Sequence, residues 1–464
     1  MSTPPRLGAC LLCLLSARLL LADVAYDAAE NCIWVKGFPE EAPATLDTVL
    51  NADSKGKWGK VTYDKARDTY TIAASLWIGS DDDLGTFVQI GRKDHPRETL
   101  VLKGDLWIRP PRESIKRSDG RASIVNRLTL GHPNDASIRP SLKIACSKPR
   151  EFGICLGIRT TDNKVWKRGG DLHAYSSLLT AAIQNKEHIL RGSGEHKGYS
   201  TGWYGSDIRL VNSTLSWIDG GMTYGADAGN AVFDGTTFEH GGRALANGRQ
   251  YARNCTFRDL DIAVAEGGSL DATLVKCTFE NNALNWSLGS AASQGVTLID
   301  CEQGPPKPQP SKGVGPHRAV SLRENQVTAD EAVRRRIPLY PCYNELRSLV
   351  VKVTDTDGRP VPRAVVHVAC DDATALRTPL SITDDNGLTS QDMEKDAILL
   401  TILRLQATDK PDEPKAFRFR YTVTVSAAGH KPKTLPLADP ARVSRPMGVT
   451  LDKAPAPPVS APAR

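Results

Sequence analysis

Short runs in which small or apolar residues alternate with polar ones dominate residues 206–303. Five such lines stand at 206–215, 232–239, 251–258, 274–280 and 298–302. Taking Ser213, Thr236, Cys255, Cys277 and Cys301 as equivalent, the steps between them are 23, 19, 22 and 24 residues. A period of this length belongs to stacked coils, none of which can bury its apolar side alone. Alternation at a period of two predicts strands. The residue before each anchor is Asn212, Gly235, Asn254, Lys276 or Asp300. Asn, Gly and Asp tolerate the left-handed backbone that a tight corner needs. Glycine density and β-branched residues at the repeat positions argue against helices. The pattern predicts a parallel β-helix. Its coils rise by about 4.8 Å, one strand spacing, so Cys255, Cys277 and Cys301 stack inside as small apolar residues. Phe238, Phe257 and Phe279, two residues further on, form a second inward column.

The rest of the chain divides around this stack. Residues 45–52 read as a short amphipathic helix, beginning near Ala44 or Thr45, that covers the open end of the first coil. Strand-like runs at 69–74, 76–78, 86–91, 99–102 and 106–108 read as early coils, and 138–144 and 172–178 resume the pattern within a loop-rich stretch. Residues 304–346 form a proline-rich linker with a short helix expected over 328–336. Alternating runs at 349–355, 364–368 and 418–425, separated by turns such as Asp357-Gly358 and Asn386-Gly387, predict a β-sandwich over 347–453. A Pro/Ala tail occupies 454–464.

Composition changes little in that picture. Forty per cent apolar and only 6% aromatic residues in a 464-residue chain suit an all-β protein of two or three domains. The net charge of +6 permits an anionic partner without demanding one, and no basic block or zinc-finger spacing points to nucleic acid. Residues 1–25, with Arg6 ahead of a leucine-rich run, read as an export signal, which places the mature chain outside the cell, in a periplasm or on the surface. No later segment has the length and apolarity of a membrane span. Of ten cysteines, Cys10 and Cys13 lie in the signal. Cys146 and Cys155 either close a small disulfide loop or stay free, and Cys32, Cys342 and Cys370 have no deducible partner. Asp81-Asp82-Asp83 offers the oxygens calcium takes, or is a solvated acidic turn; no motif specifies a cofactor.

Two resemblances carry further expectations. The run from Val353 through Gly358 to Val366, with Asp384-Asp385-Asn386-Gly387 downstream, resembles the carboxypeptidase regulatory-like (transthyretin-like) sandwich; Arg363 stands where that family has glycine. This implies a non-catalytic module of exported or surface proteins. The 206–303 repeats resemble the right-handed parallel β-helix superfamily that includes pectate-lyase-like enzymes. The resemblance is architectural. Trp217-Ile218-Asp219 is similar to a pectate-lyase segment, but Gly220 stands where His follows the Asp, and no catalytic residue carries over. The expected fold is thus all-β, a right-handed parallel β-helix followed by a small β-sandwich.

Candidate chemistry gathers just past the anchors. Glu239, Arg258 and Glu280 fall in one column, His240, Asp259 and Asn281 in the next, and Arg243 follows closely. A uronate lyase needs a cation to neutralise the substrate carboxylate and a base to take the C5 proton. In that reading His240, Arg243, Arg258 and Asp259 are catalytic, while Glu239, Glu280, Trp217 and Tyr224 bind the sugar. Alternatively, opposite charges on adjacent coils simply pair because they are neighbours. Asp207, Asp219 and Asp227 are a hydrolase alternative. Two functions follow: an exported enzyme cleaving an acidic polysaccharide by β-elimination, or a non-catalytic surface protein that binds polysaccharide or a cell-surface glycan. Neither metal nor oligomeric state is specified.

Overall fold

The structure, a computed structural model, describes residues 22–79, 85–109, 126–145, 154–156, 158–159, 166–167, 170–184, 194–196, 199–201, 207–218, 231–246, 249–265, 271–287, 295–304, 341–370, 372, 379–392, 396–406, 415–437, 439–443 and 445–455. Residues 1–21 of the export signal expected over 1–25, Asp81-Asp82-Asp83, Cys146, Asp219, Tyr224, Asp227 and the helix expected over 328–336 lie outside the described residues. The chain is all-β and forms two compact units. One comprises Met1–Ser269, Thr278–Ser287 and Gln303–His317; the other comprises Leu270–Cys277, Leu288–Glu302 and Arg318–Arg464.

The first unit is built from parallel ladders that take one strand from each successive coil, the arrangement of a parallel β-helix. One ladder runs Thr69–Ile72, Thr99–Leu102, Ser141–Ile144, Leu178–Ala181, Thr214–Ser216, Thr237–Glu239, Thr256–Arg258 and Thr278–Glu280. A second runs Phe87–Ile90, Arg127–Leu130, Asp171–Tyr175, Ile208–Val211, Ala231–Asp234 and Arg249–Arg253. A third runs Cys32–Lys36, Ser75–Ile78, Leu106–Ile108 and Ile154–Leu156. Early strands alternate strictly between half-exposed and buried positions, as in Thr69–Ile72, Phe87–Ile90 and Arg127–Leu130. That alternation is what a sheet with one face in the core requires.

Register follows the anchors. Thr214, Thr237, Thr256 and Thr278, each one residue past its anchor, pair across neighbouring coils. The Phe238, Phe257 and Phe279 rings stack at 5.1 Å per step and are fully buried. Asn212, Gly235, Asn254, Lys276 and Asp300 all have positive φ, between 48° and 58°. A second set of left-handed corners, Trp217, His240, Asp259 and Asn281, follows the same strands. Ser177 takes the anchor position on the coil before Ser213: the Ser177 N–H donates to Ser213 Oγ at 3.1 Å, and the Thr214 N–H to the Ser177 carbonyl at 2.8 Å.

The helix spans Leu46–Gly56, ending four residues beyond the expected 45–52, with Thr45 as N-cap and a capping box closed by Thr48. Ala44, just before it, exchanges backbone bonds with the strand Phe87–Ile90, through Ala44 N to Phe87 O and Gln89 N to Ala44 O, both at 2.9 Å. Ala44 thus occupies the edge of the first strand in the second ladder, which would otherwise be open.

In the second unit Asp271–Val275, Gly295–Ile299 and Pro341–Leu349 pair in parallel. Ile398–Gln406 adds to Pro341–Leu349 antiparallel. The strand expected over 349–355 is therefore two, Pro341–Leu349 and Val351–Asp355, which belong to different sheets. Val351–Asp355 pairs with Met447–Leu451, and Leu380–Ile382, Val365–Cys370, Tyr421–Ser426 and Lys433–Leu437 form an antiparallel sheet. Val351, Val353, Val366, Val368, Val423 and Leu451 meet between these layers in one core. Cys277 and Cys301 are adjacent in this unit, the Cys277 N–H donating to Cys301 Sγ at 3.4 Å. Cys32, Cys255, Cys301 and Cys370 are free thiols.

Candidate functional site

The corner column predicted to carry chemistry forms, and its charges are paired between coils. Arg258 Nε donates to Glu239 Oε2 at 2.8 Å, and this bond holds the guanidinium above its usual range. Glu280 lies opposite Arg258 in register and is exposed. Asn281 Nδ2 donates to Asp259 Oδ1 at 2.5 Å. His240 Nδ1 stands 4.0 Å from Asp259 Oδ2, beyond hydrogen-bond reach. Its ring lies flat on Trp217, with centroids 4.8 Å apart and planes 21° from parallel. His240, Asp259 and Asn281 stand at left-handed corners just past the ends of their strands. Arg243 opens the strand Arg243–Ala246, pairs in register with Ile262 and is exposed.

A second cluster lies on the outer face of the ladder that contains Asp171–Tyr175. Leu172 and Ala174 point into the core at 0% exposure, so Asp171, His173 and Tyr175 alternate to the outside. Asp171 pairs with Arg127 on the preceding coil, and Arg127 Nη2 donates to Asp171 Oδ2 at 3.0 Å. Arg127 also reaches Glu40 at 2.9 Å and lies over the Phe87 ring. His173 pairs with Arg209 on the following coil. Arg209 binds Asp207, with Nη2 3.1 Å from Oδ2, and the Asp207 N–H donates to Asp171 Oδ1 at 3.3 Å.

His173 is the unusual member. It is only 7% exposed, and its buried Nε2 makes no hydrogen bond, although Asp207 Oδ2 lies 3.5 Å away. One ligand atom from each of Asp171, His173 and Asp207 lies within 4.8 Å of the others. Burial pushes the Asp171 carboxyl up, more than the neighbouring Arg127 draws it down. Burial also acts to raise Asp207, but His173 and Arg209 together hold it below the usual carboxylate range. The three groups are a carboxylate–imidazole–carboxylate set of the kind that orients an imidazole or ligates a cation. Two coils on, Arg253 Nη2 donates to Asp234 Oδ2 at 2.5 Å on the same ladder.

Repeat alignment missed this cluster because the step from Asp171 to Asp207 is 36 residues, well outside the 19–24-residue period. The available signal was the alternation itself: Asp171, His173 and Tyr175 flank inward Leu172 and Ala174 in a single strand.

Among the described residues no helix is long and apolar enough to cross a membrane. No protein-family model matches the chain, and no curated protein matches it.

Proposed function

We propose that this is an exported parallel β-helix protein that binds an acidic polysaccharide along the outer face of the ladder from Phe87–Ile90 to Arg249–Arg253. The observation that carries the reading is a set of guanidinium–carboxylate pairs on that face: Arg127–Asp171 and Arg253–Asp234 between neighbouring coils, and Arg209–Asp207 within one coil. Tyr175 and Tyr251 stand half-exposed on the same strands. A carboxylate fixed by an arginine is a pre-oriented acceptor for sugar hydroxyls, and a half-exposed guanidinium can take a uronate carboxylate bidentately. Aromatic rings add apolar faces for the pyranose. Strands about 4.8 Å apart put Arg127, Arg209 and Arg253 on alternate coils, about 10 Å apart, so an extended polymer meets a guanidinium at every second coil.

The corner column supports binding over elimination. An eliminating site needs a cation able to take up substrate charge and a base aimed at a proton. There Arg258 is matched by Glu239 and the His240 ring is stacked on Trp217. The C-terminal sandwich, which resembles carboxypeptidase regulatory-like modules, serves in this reading as the attachment module of a protein that works outside the cell, in a periplasm or at a surface.

Calorimetric titration of the full chain with polygalacturonate, alginate, hyaluronan and a neutral glucan tests the proposal. Saturable binding to an acidic polymer, weakened by Arg209→Ala, is expected. Absence of binding to all three acidic polymers overturns it. Following the same mixtures at the absorbance of the unsaturated product separates binding from cleavage; a rise there makes the chain a lyase.

A further inference from the structure

We propose that Asp171, His173 and Asp207 form a site for a divalent transition metal. The inference starts from His173. A buried imidazole nitrogen without a partner is costly, because burial forfeits its bond to water and nothing replaces it. Here Nε2 belongs to a side chain more than nine-tenths buried, and it points into a space that also holds two carboxylates. A cation would give that nitrogen a partner.

The geometry is close to what ligation needs. Donors bound about 2.0–2.2 Å from one tetrahedral zinc ion stand about 3.3–3.6 Å apart. His173 Nε2 and Asp207 Oδ2 are already 3.5 Å apart, and one ligand atom from each of the three residues lies within 4.8 Å of the others, so side-chain rotation of up to about an ångström closes the set. Asp171 and His173 come from one strand at alternate positions, and Asp207 stands at the entry to the adjacent strand Ile208–Val211. The backbone of two paired strands therefore fixes the spacing before any metal arrives, through Leu172 N to Asp207 O at 3.1 Å and Asp207 N to Asp171 Oδ1 at 3.3 Å.

Donor chemistry selects the ion. One imidazole and two carboxylates suit zinc, cobalt or manganese; calcium prefers six to eight oxygens and takes no imidazole here. Two arginines set the strength. Arg127 holds Asp171 and Arg209 holds Asp207, so each carboxylate already carries a neighbouring positive charge. These cations oppose a metal and keep the site exchangeable rather than closed. Three protein ligands leave at least one position open. Given the polysaccharide reading above, that position takes a uronate carboxylate beside Arg209; the metal site itself does not depend on it.

The test is titration of chelator-treated full-length protein with Zn²⁺, Co²⁺ and Ca²⁺, read by calorimetry and by the visible spectrum of the Co²⁺ form. One equivalent of Zn²⁺, a tetrahedral or five-coordinate Co²⁺ spectrum and no matching Ca²⁺ isotherm are expected. His173→Gln and Asp207→Asn should each weaken Zn²⁺ at least tenfold, while Arg209→Ala should tighten it several-fold and His240→Gln should leave it unchanged. Thermal melts of the metal-free variants confirm folding, and the wild-type Co²⁺ spectrum decides the matter should a variant not fold. No one-equivalent binding by the wild type, or unaltered binding in both ligand variants, overturns the proposal. Zn²⁺ binding without polysaccharide binding leaves the metal site standing and removes the glycan reading; the reverse result does the opposite.

Discussion

The Phe257 and Phe279 rings lie face to face at 5.1 Å, 15° from parallel, one on each of two paired strands. Phe238 continues the column at the same spacing, 4° from parallel to Phe257. Each ring therefore packs against its own repeat in the next coil. Phe257→Ala removes the middle member and leaves a cavity between two rings that cannot collapse together while their strands stay paired. A loss of about 3–5 kcal/mol is expected. Urea denaturation of the variant should show a midpoint well below that of the wild type.

Asp53 anchors the end of the helix to the chain that follows. Its carboxylate is buried and accepts the backbone N–H groups of Gly59, Lys60 and Val61, at 2.8, 2.8 and 2.5 Å. Asp53→Ala leaves those donors without a partner, a cost of about 1–3 kcal/mol for a buried donor left unmade. Amide exchange at Lys60 and Val61 should accelerate before that of the later coils.

His95 gives the first unit a pH dependence of defined sign. Its Nδ1 is 2.7 Å from Asp68 Oδ1, and that bond raises the imidazole above its usual value near 6.5. A raised value means the folded chain holds the proton more tightly than the unfolded one. The stabilisation is complete below about pH 6.5 and is lost as pH rises through the folded value. Thermal melts across pH 5–9 should show this decline, and Asp68→Asn should flatten it.

Cys32 should be inert. Burial, with smaller contributions from Asp27 and Glu30, pushes its thiol up to about 12, and the thiolate is the reactive form. A thiol reagent at pH 8 should leave Cys32 unmodified in the native protein and label it in denaturant. Labelling of the native chain at the unfolded rate would contradict the burial.

Where the chain repeats on a regular step, the fold could be read from residues. The positive-φ corners at Asn212, Gly235 and Asn254 and the phenylalanine column both follow from counting positions. Legibility fails where insertions break the count. Asp171 and Asp207 stand together only because a 36-residue step closes like a 22-residue one, and nothing in spacing alone says so. The corner column was readable as charges that can pair between adjacent coils, but not as to which charge meets which. Whether Arg258 meets Glu239 or Glu280 depends on side-chain direction, and the structure settles it for Glu239. A second aromatic column, Trp34, Trp77 and Trp107, was also present in sequence as an apolar–Trp–apolar triplet in three strands. Its steps of 43 and 30 residues hide the repeat.

The central claim is that the outer face carrying Asp171, His173, Asp207 and Arg209 works, while the corner column of Glu239, His240, Arg258 and Asp259 is a set of contacts between coils. The most direct measurement is a side-by-side titration of Arg209→Ala and Arg258→Ala with the acidic polymer that binds the wild type, at one ionic strength, with melting temperatures taken in parallel. Arg209→Ala is predicted to lose at least tenfold in affinity and to melt near the wild type, because it is a half-exposed pair. Arg258→Ala is predicted to keep the wild-type affinity. Unchanged affinity in Arg209→Ala together with lost affinity in Arg258→Ala would contradict the account.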